Sequence, residues 1–205
     1  MDAGINHIKI VDERTDMRFL LSDACYPFTD PILRDIFLNA GMELLPGMQT
    51  IECKKEELFG RYDLSEGIDI ILKFKDNTKG TLQQKTLYTT FSTVTFEERK
   101  NSGKLGAWYY CTAQYYFVIY TVESDSALRT QLRDGFLNPT MREAVLLNLA
   151  EFHKLSLNDK IMWNNNTNQN EGRYNPFKYT RIKDIPSSCI IGEYHLEHSK
   201  LPFES

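Results

Sequence analysis

Three side chains of chemically useful type stand at suggestive spacing in this chain: Asp69, Gln83 and Lys85. Asp69 lies within Ile68-Asp69-Ile70-Ile71-Leu72-Lys73-Phe74, an apolar, β-branched run in which an unpaired carboxylate is costly. Gln83 and Lys85 are two residues apart, so in a strand their side chains leave one face while Leu82 and Gln84 leave the other. Asp76-Asn77-Thr78-Lys79-Gly80 supplies turn residues between the two runs, which predicts an antiparallel hairpin that gathers the three groups. An acid set across a hairpin from a polar residue, a spacer and a lysine suits metal-dependent phosphodiester hydrolysis. The carboxylate and the backbone carbonyl of the spacer, Gln84, bind a hard divalent ion such as Mg²⁺ or Mn²⁺, which polarises the phosphate and lowers the pKa of a bound water. The lysine orients or activates that water and offsets charge building on phosphorus.

The elements that must position these groups can be read around them. Thr29 or Asp30 as N-cap, Pro31 at the first helical position, an apolar series Leu33, Ile36, Phe37, Ala40 and a stop at Gly41 predict a helix. Residues 5–21 read as an irregular entry containing at most a strand. A third strand is expected at Ser92–Glu97 and a buried one at Tyr115–Val122. Helices are expected at Ser126–Leu132 and Thr140–Lys154, an Asn-rich loop at Trp163–Asn170, and a short strand at Cys189–Ile191. The sum is an α/β chain with a mixed central sheet flanked by helices. It forms a single domain over 1–205, its core at about 29–122 and a helical or loop extension at about 123–205.

Glu66-Gly67-Ile68-Asp69-Ile70-Ile71 followed by Leu82-Gln83-Gln84-Lys85 resembles the Gly-(Ile/Val)-Asp … Gln-x-Lys signature of PD-(D/E)XK nucleases, in particular Mrr-type restriction endonucleases and small phage or viral members. The likeness covers mainly Thr29 to Tyr120. It implies a restriction-endonuclease-like core, a divalent metal, and hydrolysis of nucleic-acid phosphodiesters, with DNA ahead of RNA and an endonuclease as the expected activity. By position it implies Asp69 as the metal-binding acid, Gln83 in the Glu/Gln slot, and Lys85 as the catalytic lysine. Ile68 replaces the proline of the family's name. Gln83 replaces the commoner glutamate and removes a negative charge from the metal site, so another carboxylate should compensate: Asp30, Asp35, Glu43, Glu52 or Asp63. A nuclease-fold protein that has lost catalysis and binds nucleic acid or a protein partner is the alternative reading.

Composition bounds these expectations. The 205 residues carry 24 Lys+Arg against 28 Asp+Glu, a formal net charge of -4, which excludes a uniformly basic nucleic-acid coat and leaves room for a local basic groove. Lys73, Lys75, Lys79, Arg99, Lys100 and Lys104 lie on or near the hairpins, where they can contact phosphates or form a solvated face. The aromatic run Trp108-Tyr109-Tyr110 and Tyr115-Tyr116 can stack bases, but packing in the core is the favoured reading. No run reaches the roughly 20 apolar residues of a membrane span, and no secretory signal pattern is evident, so an intracellular, cytoplasmic protein is expected. The four cysteines are scattered, as reduced, part-buried residues would be. No Gly-x-Ser-x-Gly or Gly-rich phosphate loop points to serine hydrolase or nucleotide chemistry. A homodimer is compatible with that activity, since nucleases that cut both strands often pair.

Overall fold

The structure, a computed structural model, describes residues 17–45, 68–88, 91–99, 105–168 and 175–196. Its centre is a five-stranded mixed sheet in the order β1-β2-β4-β5-β8, formed by β1 (Ile70–Lys73), β2 (Lys79–Leu87), β4 (Tyr115–Thr121), β5 (Met141–Asn148) and β8 (Ile190–His195). A smaller sheet in the order β3-β7-β6 joins β3 (Thr93–Glu97), β7 (Asn175–Arg181) and β6 (Asn164–Asn168). The helices are α1 (Met17–Asn39), the single turn α2 (Ala107–Tyr110), α3 (Asp125–Arg133) and α4 (Leu149–Leu157). The mixed α/β fold expected from the sequence is the one the chain adopts.

The hairpin forms where turn chemistry demanded it. β1 and β2 pair antiparallel with Ile70 opposite Leu82 and Lys73 opposite Lys79. Asn77 turns the chain at φ 67, a conformation asparagine tolerates, and the Asp76 carboxylate accepts from the Thr78 N–H at 2.9 Å. β2 then runs parallel to β4, Gln83 beside Tyr116 and Lys85 beside Val118. A parallel pair needs a long crossover, and here the crossover carries β3 and α2.

Apolar residues leave both faces of the large sheet. On one face α1 lays Leu33, Ile36 and Phe37 against Leu72, Phe74, Leu82, Phe117 and Leu146. Phe37 meets Phe74 and Tyr115 edge-on at centroid distances of 5.4 and 5.1 Å. On the other face Tyr116, Val118, Tyr120, Val145 and Leu147 pack under Val94 and Phe96 of β3 and Leu149 and Phe152 of α4. β4, with every residue buried, is the spine of the core.

Four expectations are corrected. The helix does not begin at Thr29 or Asp30 but at Met17, and Pro27 and Pro31 lie inside it. Thr29 is fully buried rather than capping, and its hydroxyl donates back to the Tyr26 carbonyl at 3.1 Å. Gly41 does end the helix, at φ 78. Residues 141–148, read as the first half of a helix, form β5 of the large sheet, because an apolar run buried on both faces also presents a helical stripe. The Asn-rich segment is the strand β6, held by pairing with β7 rather than by its own propensity. Consequently residues beyond 122 are not a helical or loop extension: β5 and β8 complete the central sheet. The strand expected at Cys189–Ile191 exists but runs to His195.

Candidate functional site at the β1–β2 edge

Asp69 stands just before β1, where main-chain pairing with β2 ends. Its N–H donates to the Leu82 carbonyl at 2.9 Å, the last backbone rung of the described hairpin. Its carboxylate takes over the next position, Oδ2 accepting from the Gln84 N–H at 2.8 Å and from the Gln83 side-chain Nε2 at 2.7 Å. The N–H and C=O of a strand residue point to the same side, so the Gln84 carbonyl faces the edge on which the Asp69 carboxylate sits. Of the three groups the hairpin was expected to gather, Asp69 and Gln83 meet directly, whereas the Lys85 amine bonds to Thr95.

Gln83 and Lys85 share one face of β2, as their spacing requires, and Gln84 takes the other. The Gln84 amide reaches under α1, donating to the Thr29 hydroxyl at 3.1 Å, while its Oε1 has no hydrogen-bond partner among the described residues. The Gln83 Oε1 lies 4.0 Å from the Cys111 Sγ, which donates to it. Burial first, and then the negative charge of Asp69, push the Cys111 thiol up to about 11, so it stays protonated at neutral pH.

Lys85 turns its amine to β3. Nζ donates to the Thr95 hydroxyl at 3.0 Å and lies 3.5 Å from the Thr95 carbonyl, which also accepts from the Tyr116 phenol at 3.1 Å. Burial lowers the Lys85 pKa from the usual lysine range, and the nearby Glu97 carboxylate opposes that shift. The free edge of β3 is thus bound by side chains instead of by a strand. Thr93 donates from its N–H to the Tyr120 hydroxyl at 2.7 Å and its carbonyl accepts from the same phenol. Burial raises the Tyr116 phenol well above its ordinary pKa, aided by the charges of Asp69 and Glu97, which keeps it a donor.

Other expected site residues are placed elsewhere. Asp30 neighbours Thr29, but its carboxylate accepts from the Tyr26 hydroxyl and from Arg34 Nε, both at 2.7 Å. Asp35 is exposed on α1, and Glu43 is paired with Lys75. Lys73, Lys75 and Lys79 are exposed at the turn end of the hairpin. Lys79 is four residues from Gln83 along β2, roughly 13 Å at strand rise. Those lysines therefore do not form one site with Asp69, and Lys75 is already neutralised by Glu43. Arg99 is exposed beyond β3, and Glu52, Asp63, Lys100 and Lys104 lie outside the described residues. Trp108, Tyr115 and Tyr116 serve packing, as favoured, whereas Tyr109 is exposed: Trp108 stands edge-on to Phe96 at 5.3 Å, and Tyr115 and Tyr116 are buried.

Sequence reasoning missed Thr95, Glu97 and Cys111, and did not place the Tyr116 phenol beside Lys85. The alternation Thr93-Val94-Thr95-Phe96-Glu97 carried a signal, since it set Thr95 and Glu97 on one face opposite Val94 and Phe96. Nothing local said that this face would meet Lys85. Among the described residues no three His, Cys, Asp or Glu side chains converge as a ready-made cation cage, and no helix is long and apolar enough to cross a membrane. No family model, curated protein or solved structure matches this chain.

Proposed function

We propose that the β1–β2 edge is a divalent-metal-dependent phosphodiesterase site and that the chain is a PD-(D/E)XK-type nuclease with a restriction-endonuclease-like core, cutting DNA internally. The observation that carries this reading is the carboxylate of Asp69 sharing one strand edge with the Gln83 amide and the Gln84 backbone. The donor set fits a hard cation: a carboxylate and a main-chain carbonyl are both oxygen ligands. Asp69 and the Gln84 carbonyl would hold Mg²⁺ or Mn²⁺, and the Gln83 amide steadies the Asp69 carboxylate by donating to it. When bound, the ion would polarise the phosphate and supply charge to the reacting centre.

The chain's own groups supply the rest. Lys85, its pKa lowered by burial, can shed its proton more readily than a surface lysine and so take one from an attacking water. Thr95 fixes the direction of that amine through its hydroxyl. Glu97 is a carboxylate whose charge bears on both Lys85 and Tyr116. Cys111, held neutral, orients the Gln83 amide from behind.

Incubation of the purified chain with plasmid and single-stranded DNA, with Mg²⁺, Mn²⁺ or EDTA, tests the proposal. Metal-dependent cleavage by the wild type, abolished in Asp69→Ala and in Lys85→Ala, is expected. Undiminished cleavage in either variant would remove the assignment. The neutral Gln83, which donates to Asp69, favours one other reading, a nuclease-fold module that binds nucleic acid without cutting it; it predicts DNA binding with no cleavage under any metal.

A further inference from the structure

The small sheet presents its outer face next to the candidate site, and that face carries two aromatic rings that the core does not use. In the pairing of β3 with β7, Thr95 lies opposite Tyr179 and Glu97 opposite Phe177; in that of β7 with β6, Tyr179 lies opposite Asn164 and Phe177 opposite Asn166. Directly opposed residues share a face. One face therefore carries Thr95, Glu97, Tyr179, Phe177, Asn164 and Asn166. The opposite face carries Val94, Phe96 and Thr180, all buried, so the first face is the outer one.

Phe177 and Tyr179 sit 6.2 Å apart between ring centroids, tilted by 42°, and both are part-exposed. Neither belongs to any of the three hydrophobic clusters formed by the described residues. Their neighbours across the strands are amides, a threonine and a carboxylate, and each ring keeps part of its surface exposed. Thr95, which holds the Lys85 amine at 3.0 Å, is the register partner of Tyr179. The rings thus form a surface continuous with the candidate site.

We infer that Phe177 and Tyr179 are a stacking platform for unpaired bases next to the scissile phosphate, so that the substrate strand is single-stranded where it crosses this face. The inference rests on the nuclease reading of the β1–β2 edge. Charge decides between a single strand and a duplex. A duplex is gripped largely through its phosphates by Lys and Arg. This face has the Glu97 carboxylate, and its guanidinium, Arg181, is ion-paired with Asp184 at 2.7 Å, in a chain of net charge -4. Aromatic faces bind any unpaired base through its π surface and need little cationic charge. The exposed amides of Asn164 and Asn166 on the same face can hydrogen-bond base edges.

The test uses the whole chain in EDTA with a fluorescein-labelled 20-nucleotide DNA strand and the same sequence as duplex, read by fluorescence anisotropy. The single strand should bind more tightly than the duplex. Phe177→Leu and Tyr179→Leu, which keep bulk and remove the ring, should each weaken single-strand binding by about 5-fold or more. Tyr179→Phe, which keeps the ring, should bind as the wild type does. Circular dichroism confirms that the variants fold, and Phe177→Met or Tyr179→Met, which also remove the ring, replaces any that does not. Unchanged binding in both leucine variants, or duplex binding equal to or tighter than single-strand binding, would overturn the platform. Cleavage with Mg²⁺ is measured in parallel. Ring-dependent binding without cleavage sustains the platform and rejects the nuclease reading; cleavage with ring-independent binding does the reverse.

Discussion

Lys85→Met distinguishes a lysine kept for chemistry from one kept for the fold. The substitution preserves the apolar stem and removes the ammonium that burial disfavours. Replacing buried charged groups as a set by apolar ones of similar volume is neutral to stabilising by about 1–4 kcal/mol, and Glu97, the charge left behind here, is itself part-exposed. Lys85 retains part of its surface and Glu97 compensates some of its charge, so the lower half of that range applies, about 1–2 kcal/mol. The variant forfeits the bond to the Thr95 hydroxyl. That residue is itself part-exposed and open to water, and its carbonyl keeps the Tyr116 phenol, so no buried group is stranded. A gain of about 1–2 kcal/mol corresponds to a rise in Tm of about 2–8 °C for a chain of this size. The sign with pH follows from the lowered pKa. The unfolded chain holds the Lys85 proton up to the usual lysine range, near 10.4, whereas the folded chain sheds it earlier. The wild type is penalised in full below the lowered folded value and recovers as pH rises from there toward the unfolded one. The advantage of Lys85→Met should therefore be largest at neutral pH and shrink on the alkaline side. Differential scanning calorimetry from pH 6 to 10 reads both effects, beside a cleavage assay in which the variant is inactive. A Tm lower than wild type at neutral pH, or an advantage that grows with pH, would refute the reasoning.

Gln83→Glu sets a second carboxylate against Asp69, whose Oδ2 is 2.7 Å from the present amide; it should lower Tm in EDTA and raise the Tm gained on adding Mn²⁺, followed by thermal shift. Asp69→Asn exchanges two charge-assisted hydrogen bonds for weaker ones and should cost about 1–2 kcal/mol in chemical denaturation while abolishing cleavage. Gly106→Ala would place a Cβ 2.1 Å from the Glu97 carbonyl, a backbone atom that cannot yield cheaply; it should destabilise by about 1–3 kcal/mol or more and lower activity by shifting Glu97, as read by denaturation and initial rates. The wild-type pH–rate profile should rise through a limb that Thr95→Val moves, because Thr95 is the hydroxyl partner of the Lys85 amine.

Local signals carried the hairpin and missed what depends on distant chain. Residues 70–87 were legible because alternation, β-branching and an Asp-Asn turn agree, and the Asp69–Gln83 contact follows from that hairpin alone. β4 was legible as an apolar aromatic run. β5 was not, since Met141, Ala144, Val145 and Leu147 satisfy a helical period whenever both faces of a strand are apolar. The start of α1 was misplaced because Pro31 imitates a first-turn proline. Inside a helix each proline removes a hydrogen bond, at about 3 kcal/mol, and burial of Leu21, Cys25 and Leu33 outweighs that penalty through contacts the local pattern does not show. Thr29 looked like a cap and is instead the buried partner of Gln84, far along the chain. The surroundings of Lys85 come from β3 and β4, and the outer face beside it from β7 and β6, which fold back from the other end of the chain.

The most direct test of the account is whether Asp69 holds a divalent ion. Titration calorimetry of Mn²⁺ into the full chain should show one saturable site in the wild type, retained in Lys85→Met and lost in Asp69→Asn. Equal binding by Asp69→Asn and wild type, or no binding by the wild type, would contradict it.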